Sequence, residues 1–279
     1  VTISDKWVQA ISEDESGCLW IGTWEGLYRY DPHTDRILRA RLDGERKGSK
    51  GYDIVISFEL GRDGALWVGT YEGLVRLDPK TLQSKRYSSH LNGNRKIPAL
   101  QIFWILEDRA GVLWLGTLDA GLVAFDPETE EYVSFVHNPG NPRSVCNNSV
   151  QGIFEDDQGS LWVGTYGGGI SKIDRNRKRF LLLTHEPGNP NSLSHDNVAP
   201  ILEDIQGNIW IGTYGYGVDV LDRKKSLFTH YSQNEKDNRS LSHNYVSSIY
   251  QDALNSIWVT TTNGLNRFES STKSFVHYH

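Results

Sequence analysis

The chain has 279 residues and a formal net charge of −6 at neutral pH. Because 38% of its residues are hydrophobic and 23% are charged, its composition is that of a globular protein rather than a disordered one. An acidic chain lacks the basic stripe that binds a phosphate backbone, so we expect no nucleic-acid partner. No apolar run reaches the length that a membrane-spanning helix requires, so we expect no membrane segment in this sequence.

One run of about thirteen residues recurs six times along the chain. It begins at Leu19 as LWIGTWEGLYRYD and returns with changes, for example as LWVGTYGGGISKID at Leu161. The tryptophan of each copy is separated from the next by 47 or 48 residues. These tryptophans are Trp20, Trp67, Trp114, Trp162, Trp210 and Trp258. So regular a period predicts a repeat architecture rather than six separate active sites.

Each repeat divides into four short strands in chain order. The first ends in an acidic run such as SED, the second holds the tryptophan, the third begins at a glycine, and the fourth is variable and often aromatic. Gly, Asn, Asp and Pro lie between the strands, and no stretch has a sustained helical period. Four strands in a repeat of this length are typical of a propeller blade. The sequence therefore predicts an all-β fold, a β-propeller of six four-stranded antiparallel blades.

We expect the repeats to form a single domain over residues 1–279. Their cores are predicted to start near Ile3, Gly51, Ile97, Val145, Leu193 and Leu241. The repeats are predicted to cover residues 3–50, 51–96, 97–144, 145–192, 193–240 and 241–279. All six are in phase, so neither terminus is left to complete a blade at the other. We expect a closed ring of six blades, and the alternative is an excised part of a larger ring.

Turn residues and tryptophans have scaffold roles in this interpretation. Asp14 and Gly17 fit the tight turn between the first two strands, because Asp caps such turns and Gly adopts positive φ. Trp20 and its equivalents are expected to pack between neighbouring blades. Cys18 and Cys146 fall in well-separated repeats, and a disulfide needs Cα atoms within roughly 7 Å, so we predict two free thiols.

The phrase NPNSLSHDNVAPILEDIQGNIWIGTYGYGVDVLD, residues 189–222, resembles the two-component regulator propeller repeat. The resemblance covers nearly the whole chain and includes the linkers HNPGNPRSV and NRSLSHNYV. It implies a periplasmic sensor segment of a hybrid two-component system that typically recognises glycans. It also implies an immunoglobulin-like domain, a membrane helix and kinase modules elsewhere in the polypeptide, and seven blades in a complete ring. A homodimer formed through those membrane-proximal parts is a further expectation.

The tip of the loop between the second and third strands varies from repeat to repeat. Candidate ligand-binding residues at this tip are Trp24, Glu25, Tyr71, Glu72, Asp119, Tyr166 and Tyr214. Aromatic rings stack on the C–H faces of sugars and carboxylates accept sugar hydroxyls, which suits the recognition of an oligosaccharide. The alternative is that these aromatic residues pack between blades as part of the scaffold.

The residues just before each first strand are more diverse still. The candidates among them are Trp7, Asp53, Gln101, Asn148, Asn197, Asn244 and Tyr245. Scaffold positions repeat, whereas positions that contact one ligand from different blades differ, so we expect these residues to surround the mouth of the central channel. Ordinary turn chemistry is the alternative, because Asn and Asp are also frequent in turns.

Patterns for catalysis or metal binding are weak. Histidines recur near the fourth strands of different repeats, at His137, His185, His230 and His277. Side chains so far apart are not expected to converge on one metal. The run SHD at residues 194–196 holds the three residue types of a catalytic triad, but adjacent residues cannot adopt its in-line geometry. We therefore predict no metal, no cofactor and no catalytic residue.

The leading functional hypothesis is a non-catalytic sensor propeller that recognises an oligosaccharide and relays the signal to a kinase. One rival is a propeller lyase acting on a polysaccharide or a lactone, which needs a Tyr, His or Glu with a shifted pKa in one pocket. No histidine occupies the repeated loop positions, and only His195 and His243 lie in the connections nearby, which weakens the lyase hypothesis. The other rival is a scaffold for protein partners.

Overall fold

The computed structural model describes residues 3, 7–42, 54–87, 97–98, 101–174 and 179–278. These residues form twenty-four β-strands and contain no helix. The strands make six four-stranded antiparallel sheets, each built from four consecutive strands of the chain. The predicted fold class is therefore confirmed: the protein is all-β, and its sheets are the six blades of a β-propeller.

Blades are numbered in chain order, and the first strand of each is called its inner strand. Blades 1 to 3 consist of β1 (Val8–Glu13), β2 (Leu19–Thr23), β3 (Gly26–Asp31), β4 (Arg36–Ala40), β5 (Val55–Leu60), β6 (Leu66–Thr70), β7 (Gly73–Leu77), β8 (Ser84–Tyr87), β9 (Ile102–Glu107), β10 (Leu113–Thr117), β11 (Leu122–Phe125) and β12 (Tyr132–Phe135). Blades 4 to 6 consist of β13 (Val150–Glu155), β14 (Leu161–Thr165), β15 (Gly169–Asp174), β16 (Arg179–Leu183), β17 (Val198–Glu203), β18 (Ile209–Thr213), β19 (Gly217–Asp222), β20 (Leu227–Tyr231), β21 (Val246–Gln251), β22 (Ile257–Thr261), β23 (Gly264–Glu269) and β24 (Ser274–Tyr278).

The chain divides into two compact units. The first, Val1–Phe135, contains blades 1 to 3, and the second, Val136–His279, contains blades 4 to 6. The inner strands begin four or five residues after the predicted starts of the repeat cores. The reason is that apolar residues such as Leu193 and Leu241 are buried in the blade cores, yet they belong to the connections that precede the strands. The expectation of one closed domain stays a prediction.

In five of the six blades, the tryptophan is hydrogen-bonded to the turn that precedes it. Nε1 of Trp162 donates to Oδ2 of Asp156 at 2.9 Å, while Oδ1 of this carboxylate accepts backbone N–H groups of the turn. The same bond, at 2.6–2.9 Å, occurs in blades 1, 3, 5 and 6. Gly61 replaces the aspartate in blade 2, where Trp67 packs edge-on against Phe125 of blade 3. The aspartate therefore fixes both the turn and the indole.

The tryptophans also pack in the seams, meaning the contacts between consecutive blades of one unit. Trp162 is 2% exposed and shares a core with Val198 and Ile211 of blade 5. The backbones approach closely beside it, since a Cβ added to Gly152 would lie 1.9 Å from the carbonyl oxygen of Ala199. The predicted packing of the tryptophan between blades is thus confirmed in this seam.

A glutamate at the end of the inner strand forms a second link across the seams. Glu203 accepts the backbone N–H of Asp157 from blade 4 at 2.8 Å. Glu107 accepts the backbone N–H of Arg62 from blade 2 at 2.9 Å. The glutamate is followed directly by the turn aspartate, as in Glu203-Asp204. The glutamate therefore binds the backbone of the preceding blade, whereas the aspartate binds the turn of its own blade. This role of the glutamate was not predicted from the sequence.

The connections that lead into blades 4 to 6 are tied to the third strand of the blade they enter. Buried Asp219 accepts the backbone N–H and the hydroxyl of Ser194 at 2.8 and 3.0 Å. Its other oxygen lies 2.7 Å from Nδ1 of His230, and this hydrogen bond raises the pKa of His230. Ser171 and Asn266 make the equivalent bond to the backbone in blades 4 and 6. These ties fix the segments that carry the lead-in candidates Asn148, Asn197, Asn244 and Tyr245.

Candidate ligand-binding site

The two sets of candidate residues meet at one end of each blade, here called the loop end. One set lies in the loop between the second and third strands, and the other, the lead-in residues, directly precedes the inner strand. The backbone N–H of Tyr166 donates to the carbonyl of Ser149 at 2.9 Å, and that of Tyr214 donates to Asn197 at 3.1 Å. Bonds of 3.2–3.3 Å join the same positions in blades 2, 3 and 6. The loop and lead-in residues of a blade are therefore neighbours.

The threonine that ends the second strand holds the loop. The hydroxyl of Thr23 donates to the carbonyl of Gly26 at 3.1 Å and accepts the backbone N–H of Glu25 at 3.0 Å. Thr70 holds the loop that carries Glu72 in the same way. Because the buried hydroxyl uses both its donor and its acceptor, the side chains at the loop tip project from a fixed backbone.

In the first unit, aromatic candidates are exposed at the loop end. The rings of Trp7 and Trp24 stack with their centroids 5.5 Å apart, and the two side chains are 61% and 46% exposed. Tyr71 is also exposed, so none of the three rings is wedged between blades. Asp53 lies outside the described residues. The other polar candidates of this unit are exposed or half-buried, namely Glu25, Glu72, Gln101 and Asp119.

In the second unit, two tyrosines form a stacked pair across the seam between blades 5 and 6. The ring centroids of Tyr214 and Tyr245 lie 4.7 Å apart, with 25° between the ring planes. Burial and the neighbouring Tyr245 raise the pKa of Tyr214 to about 12, so its hydroxyl is protonated at neutral pH. Tyr245 and Tyr166 are exposed at 41% and 55%, and Asn197 is half-buried. The pair presents one partly shielded ring and one open ring.

Two polar candidates serve the scaffold. Oδ1 of Asn148 accepts the backbone N–H of His137 at 2.7 Å, and Oδ1 of Asn244 accepts that of Gln233 at 2.6 Å. Asp196 makes the equivalent bond in blade 5. A side-chain oxygen that closes the connection in three blades fits the turn-chemistry alternative. Ligand binding by these two asparagines stays a prediction.

A second aromatic pair in blade 5 was missed by the sequence analysis. Tyr216 is 48% exposed and stacks on His195, with the ring centroids 4.0 Å apart and the planes 8° apart. Nδ1 of His195 accepts the backbone N–H of Asn197 at 3.0 Å, which orients the imidazole. A signal was present, because GTYGYG is the one loop of the six with an aromatic residue on both sides of a glycine. At the loop end, blade 5 therefore contributes to two stacked pairs.

The histidines of the fourth strands and their connections hold the backbone. Nδ1 of His185 lies 2.7 Å from the carbonyl oxygen of Leu193, and Nε2 of His277 lies 2.7 Å from that of Ser240. Within the described ranges, no cluster of three or more His, Cys, Asp and Glu side chains could hold a metal. Both cysteines are free thiols. The described part of the chain contains no helix long and apolar enough to cross a membrane.

Two clefts lie at the opposite end of the blades from the candidate residues. One, of about 660 Å³, is lined by the first turns of blades 1 and 2 and includes Asp14 and Arg29. The other, of about 630 Å³, lies between blades 5 and 6 and includes Trp210 and Phe268. Arg29 is paired with Asp14 at 3.1 Å, while Trp210 and Phe268 belong to the seam core. We therefore assign both clefts to the scaffold.

Comparisons with known proteins agree with this architecture. A profile of the two component regulator propeller family matches residues 2–25, 96–119, 144–167, 192–215 and 240–263. Each match starts ahead of an inner strand and ends in the loop after the second strand, so it includes the lead-in residue and the loop tip. The unmatched repeat is blade 2, in which Gly61 replaces the turn aspartate. No match was found among curated proteins.

Several solved structures have a similar fold. The extracellular domain of a protein described as a hybrid two component system of B. thetaiotaomicron is 23% identical, with a TM-score of 0.77, over 96% of this chain and 34% of that one. A second such domain from the same organism is 24% identical, with a TM-score of 0.53, over 99% and 36%. Streptogramin B lyase is 14% identical, with a TM-score of 0.71, over 100% and 85%.

The chain spans about a third of the length of the two sensor domains, and at these identities the likeness concerns the fold. The family profile, in contrast, matches the sequence of the repeat. Its matches in blades 1, 3, 4, 5 and 6 include the lead-in residue, the turn aspartate, the tryptophan and the loop. Five of the six repeats of this chain, those of blades 1, 3, 4, 5 and 6, are two component regulator propeller repeats.

Proposed function

We propose that this chain is a non-catalytic ligand-binding segment of a two-component sensor, and that its ligand is an oligosaccharide. The family of its repeats supports the sensor role. The ligand class rests on one observation, which is the presence of stacked and exposed rings on loops held by internal hydrogen bonds. In blade 5 and its seam with blade 6 these pairs are Tyr216 with His195 and Tyr214 with Tyr245.

Exposed aromatic rings suit the face of a pyranose. A sugar ring has an apolar C–H face that packs on an aromatic ring, while its hydroxyls find polar groups at the rim. Gly215 separates Tyr214 from Tyr216 in the loop, so one short segment presents a ring on each side. Stacking on Tyr245 and His195 orders both rings before a ligand arrives, which reduces the entropic cost of binding.

We place this segment outside the cytoplasm, in the periplasm, with the kinase elsewhere in the polypeptide. The two sensor structures with a similar fold are described as extracellular domains, which supports this placement.

A lyase is the rival function, because streptogramin B lyase has a similar fold. A catalytic base must be deprotonated at the working pH, whereas Tyr214, with its pKa raised to about 12, is protonated there. Nδ1 of His195 and Nδ1 of His243 each accept a backbone N–H at 3.0 Å, so each imidazole has one nitrogen committed to the scaffold. These contacts favour recognition over proton abstraction.

The test is a calorimetric screen of the purified chain against an oligosaccharide library, including uronic-acid polymers and their fragments. Every sugar that binds is then incubated with the protein, and its mass is measured. We expect at least one sugar to bind and to keep its mass. A product of lower mass or with a new double bond would support the lyase instead, and a library without any binder would contradict the ligand class.

A further inference from the structure

Blades 4, 5 and 6 have the same side-chain-to-backbone hydrogen bond three residues before the inner strand. In each blade a side-chain atom accepts the backbone N–H two residues further along the chain. The acceptor is Oδ1 of Asn147 at 2.9 Å in blade 4, Nδ1 of His195 at 3.0 Å in blade 5 and Nδ1 of His243 at 3.0 Å in blade 6. An imidazole nitrogen therefore takes the place of the amide oxygen of an Asx turn in blades 5 and 6.

This turn fixes the tautomer of both histidines. A backbone N–H can only donate, so Nδ1 of each ring carries no proton and the proton lies on Nε2. The hydroxyl of Thr262 donates to the same Nδ1 of His243 at 2.8 Å. Both rings are half-buried, and within the described residues no protein acceptor binds either Nε2–H. The two imidazoles therefore offer a ligand N–H donors and no acceptor.

The loop of blade 5 contacts the segments that carry both histidines. The ring of Tyr216 in this loop stacks on His195, with the centroids 4.0 Å apart. The backbone N–H of Gly217 in the same loop donates at 2.9 Å to the carbonyl of Asn244, the residue that follows His243. Donors from blades 5 and 6 therefore lie close to the rings to which we assign the sugar.

The loop tips of blades 4 to 6 lack the carboxylates that the first unit carries. The second residue of the tip is acidic in blades 1 to 3 and uncharged in blades 4 to 6, in the order Glu25, Glu72, Asp119, Gly167, Gly215 and Asn263. Of the six residues before each inner strand of the second unit, only Asp196 is acidic, and its Oδ1 accepts the backbone N–H of His185 at 2.6 Å. A negatively charged ligand would meet N–H donors at these tips without a row of like charges.

We propose that His195 and His243 determine specificity for an acidic oligosaccharide, in which carboxylates of uronic acid residues accept their Nε2–H groups while a sugar ring packs on Tyr216. A carboxylate only accepts hydrogen bonds, which matches a group that only donates. Hydrogen bonds to a charged partner are also about twice as strong as neutral ones. This assignment rests on the ligand class proposed above and narrows it to sugars that bear a carboxylate.

Nitrogen-15 NMR of the imidazoles tests the tautomer in the free chain. At about pH 8 an ordinary imidazole is neutral and carries one proton. We expect that proton on Nε2, with an unprotonated Nδ1, in both His195 and His243. A protonated Nδ1 in either ring would overturn the proposal, and this result needs neither a ligand nor a variant.

Calorimetric titration of the chain tests the ligand class. The probes are oligomers of galacturonic, glucuronic and mannuronic acid, and the same oligomers after carboxyl reduction, which converts each carboxylate to a hydroxymethyl group. We expect at least one acidic oligomer to bind, about 10–100-fold more tightly than its reduced form. Acidic oligomers that fail to bind, or that bind no better than their reduced forms, would overturn the proposal. A neutral sugar that binds in their place would leave the proposed oligosaccharide function intact, so the two failures are distinguishable.

His195→Phe and His243→Phe keep a ring at each position but remove the Nε2–H donor. Loss of packing or of the turn weakens the acidic and the reduced oligomer alike, whereas loss of the donor lowers the ratio of their affinities. We expect this ratio to fall by about tenfold in each variant. His33→Phe is the matched control and should keep the ratio of the wild type, since His33 is exposed in the turn between β3 and β4. An unchanged ratio in either loop-end variant would overturn the proposal.

Discussion

Replacement of Trp162 by alanine tests whether the repeated tryptophan holds the seams. The indole is 2% exposed, packs with Val198 and Ile211 of blade 5, and donates to Asp156 at 2.9 Å. The ammonium of Lys172 lies 4.7 Å from the ring centre, and this contact is lost as well. Truncation of a large buried aromatic residue costs about 3–5 kcal/mol of unfolding free energy, which is the loss that we expect.

A phenylalanine at the same position separates packing from hydrogen bonding. Trp162→Phe keeps an aromatic ring in the seam but removes the donor to the Asp156 carboxylate, so we expect it to cost about 1.5–3 kcal/mol. Tyr166→Ala is the matched control, because its ring is 55% exposed four residues further on, and it should cost less than about 1 kcal/mol.

The assay is urea unfolding followed by far-UV circular dichroism at one pH, with all variants compared by midpoint and slope. Equal losses for Trp162→Ala and Tyr166→Ala would refute the division between scaffold and ligand-facing positions. A loss below about 1 kcal/mol for Trp162→Ala would refute the seam role itself.

Three further predictions concern backbone approach, pH and assembly. Gly152→Ala should lower the free energy of unfolding in urea by about 1–3 kcal/mol, because the new Cβ would lie 1.9 Å from the carbonyl oxygen of Ala199. Gly140→Ala is the control, because its new Cβ would lie 3.4 Å from the nearest atom, and it should change stability by less than about 0.5 kcal/mol. The bond between His230 and Asp219 raises the pKa of His230, so its contribution is complete below pH 6.5 and is lost as the pH rises through the raised value. His230→Gln should remove that pH dependence in thermal melts, and an unchanged profile would contradict it. Light scattering of the isolated chain should give a monomer if the six blades close into a ring, whereas obligate oligomers would contradict closure.

The fold was predictable because its signals are local and repeated. The spacing of the tryptophans set the length of one blade, and the Asp14–Gly17 pattern marked the turn, where the aspartate indeed caps the backbone. Six copies of the tryptophan and five of the turn aspartate, which Gly61 replaces in blade 2, made the prediction secure. The bond from that aspartate to the indole N–H was not predicted, since a capping role already accounts for the residue.

Features that join different repeats were not predictable from one repeat. Glu203 binds a backbone N–H of Asp157, 46 residues earlier, and no local pattern distinguishes this glutamate from a solvent-exposed one. The roles of Asn148 and Asn244 were ambiguous for a related reason, because the same side-chain amide can bind a ligand or accept a backbone N–H in a turn. Tyr216 was missed because only two residues of each loop tip, here Tyr214 and Gly215, were considered as candidates. Its stacking on an imidazole from the connection appears only in three dimensions.

The central claim is that the aromatic residues of the loop end bind an oligosaccharide. Calorimetric titration of Tyr245→Ala and Tyr132→Ala with a sugar that binds the wild type tests it most directly, because both tyrosines are 41% exposed, but Tyr132 lies on the outer strand β12. We expect Tyr245→Ala to weaken binding by about tenfold, which corresponds to the loss of one stacking contact, and Tyr132→Ala to bind like the wild type. Unchanged affinity in Tyr245→Ala, or an equal loss in both variants, would contradict the claim.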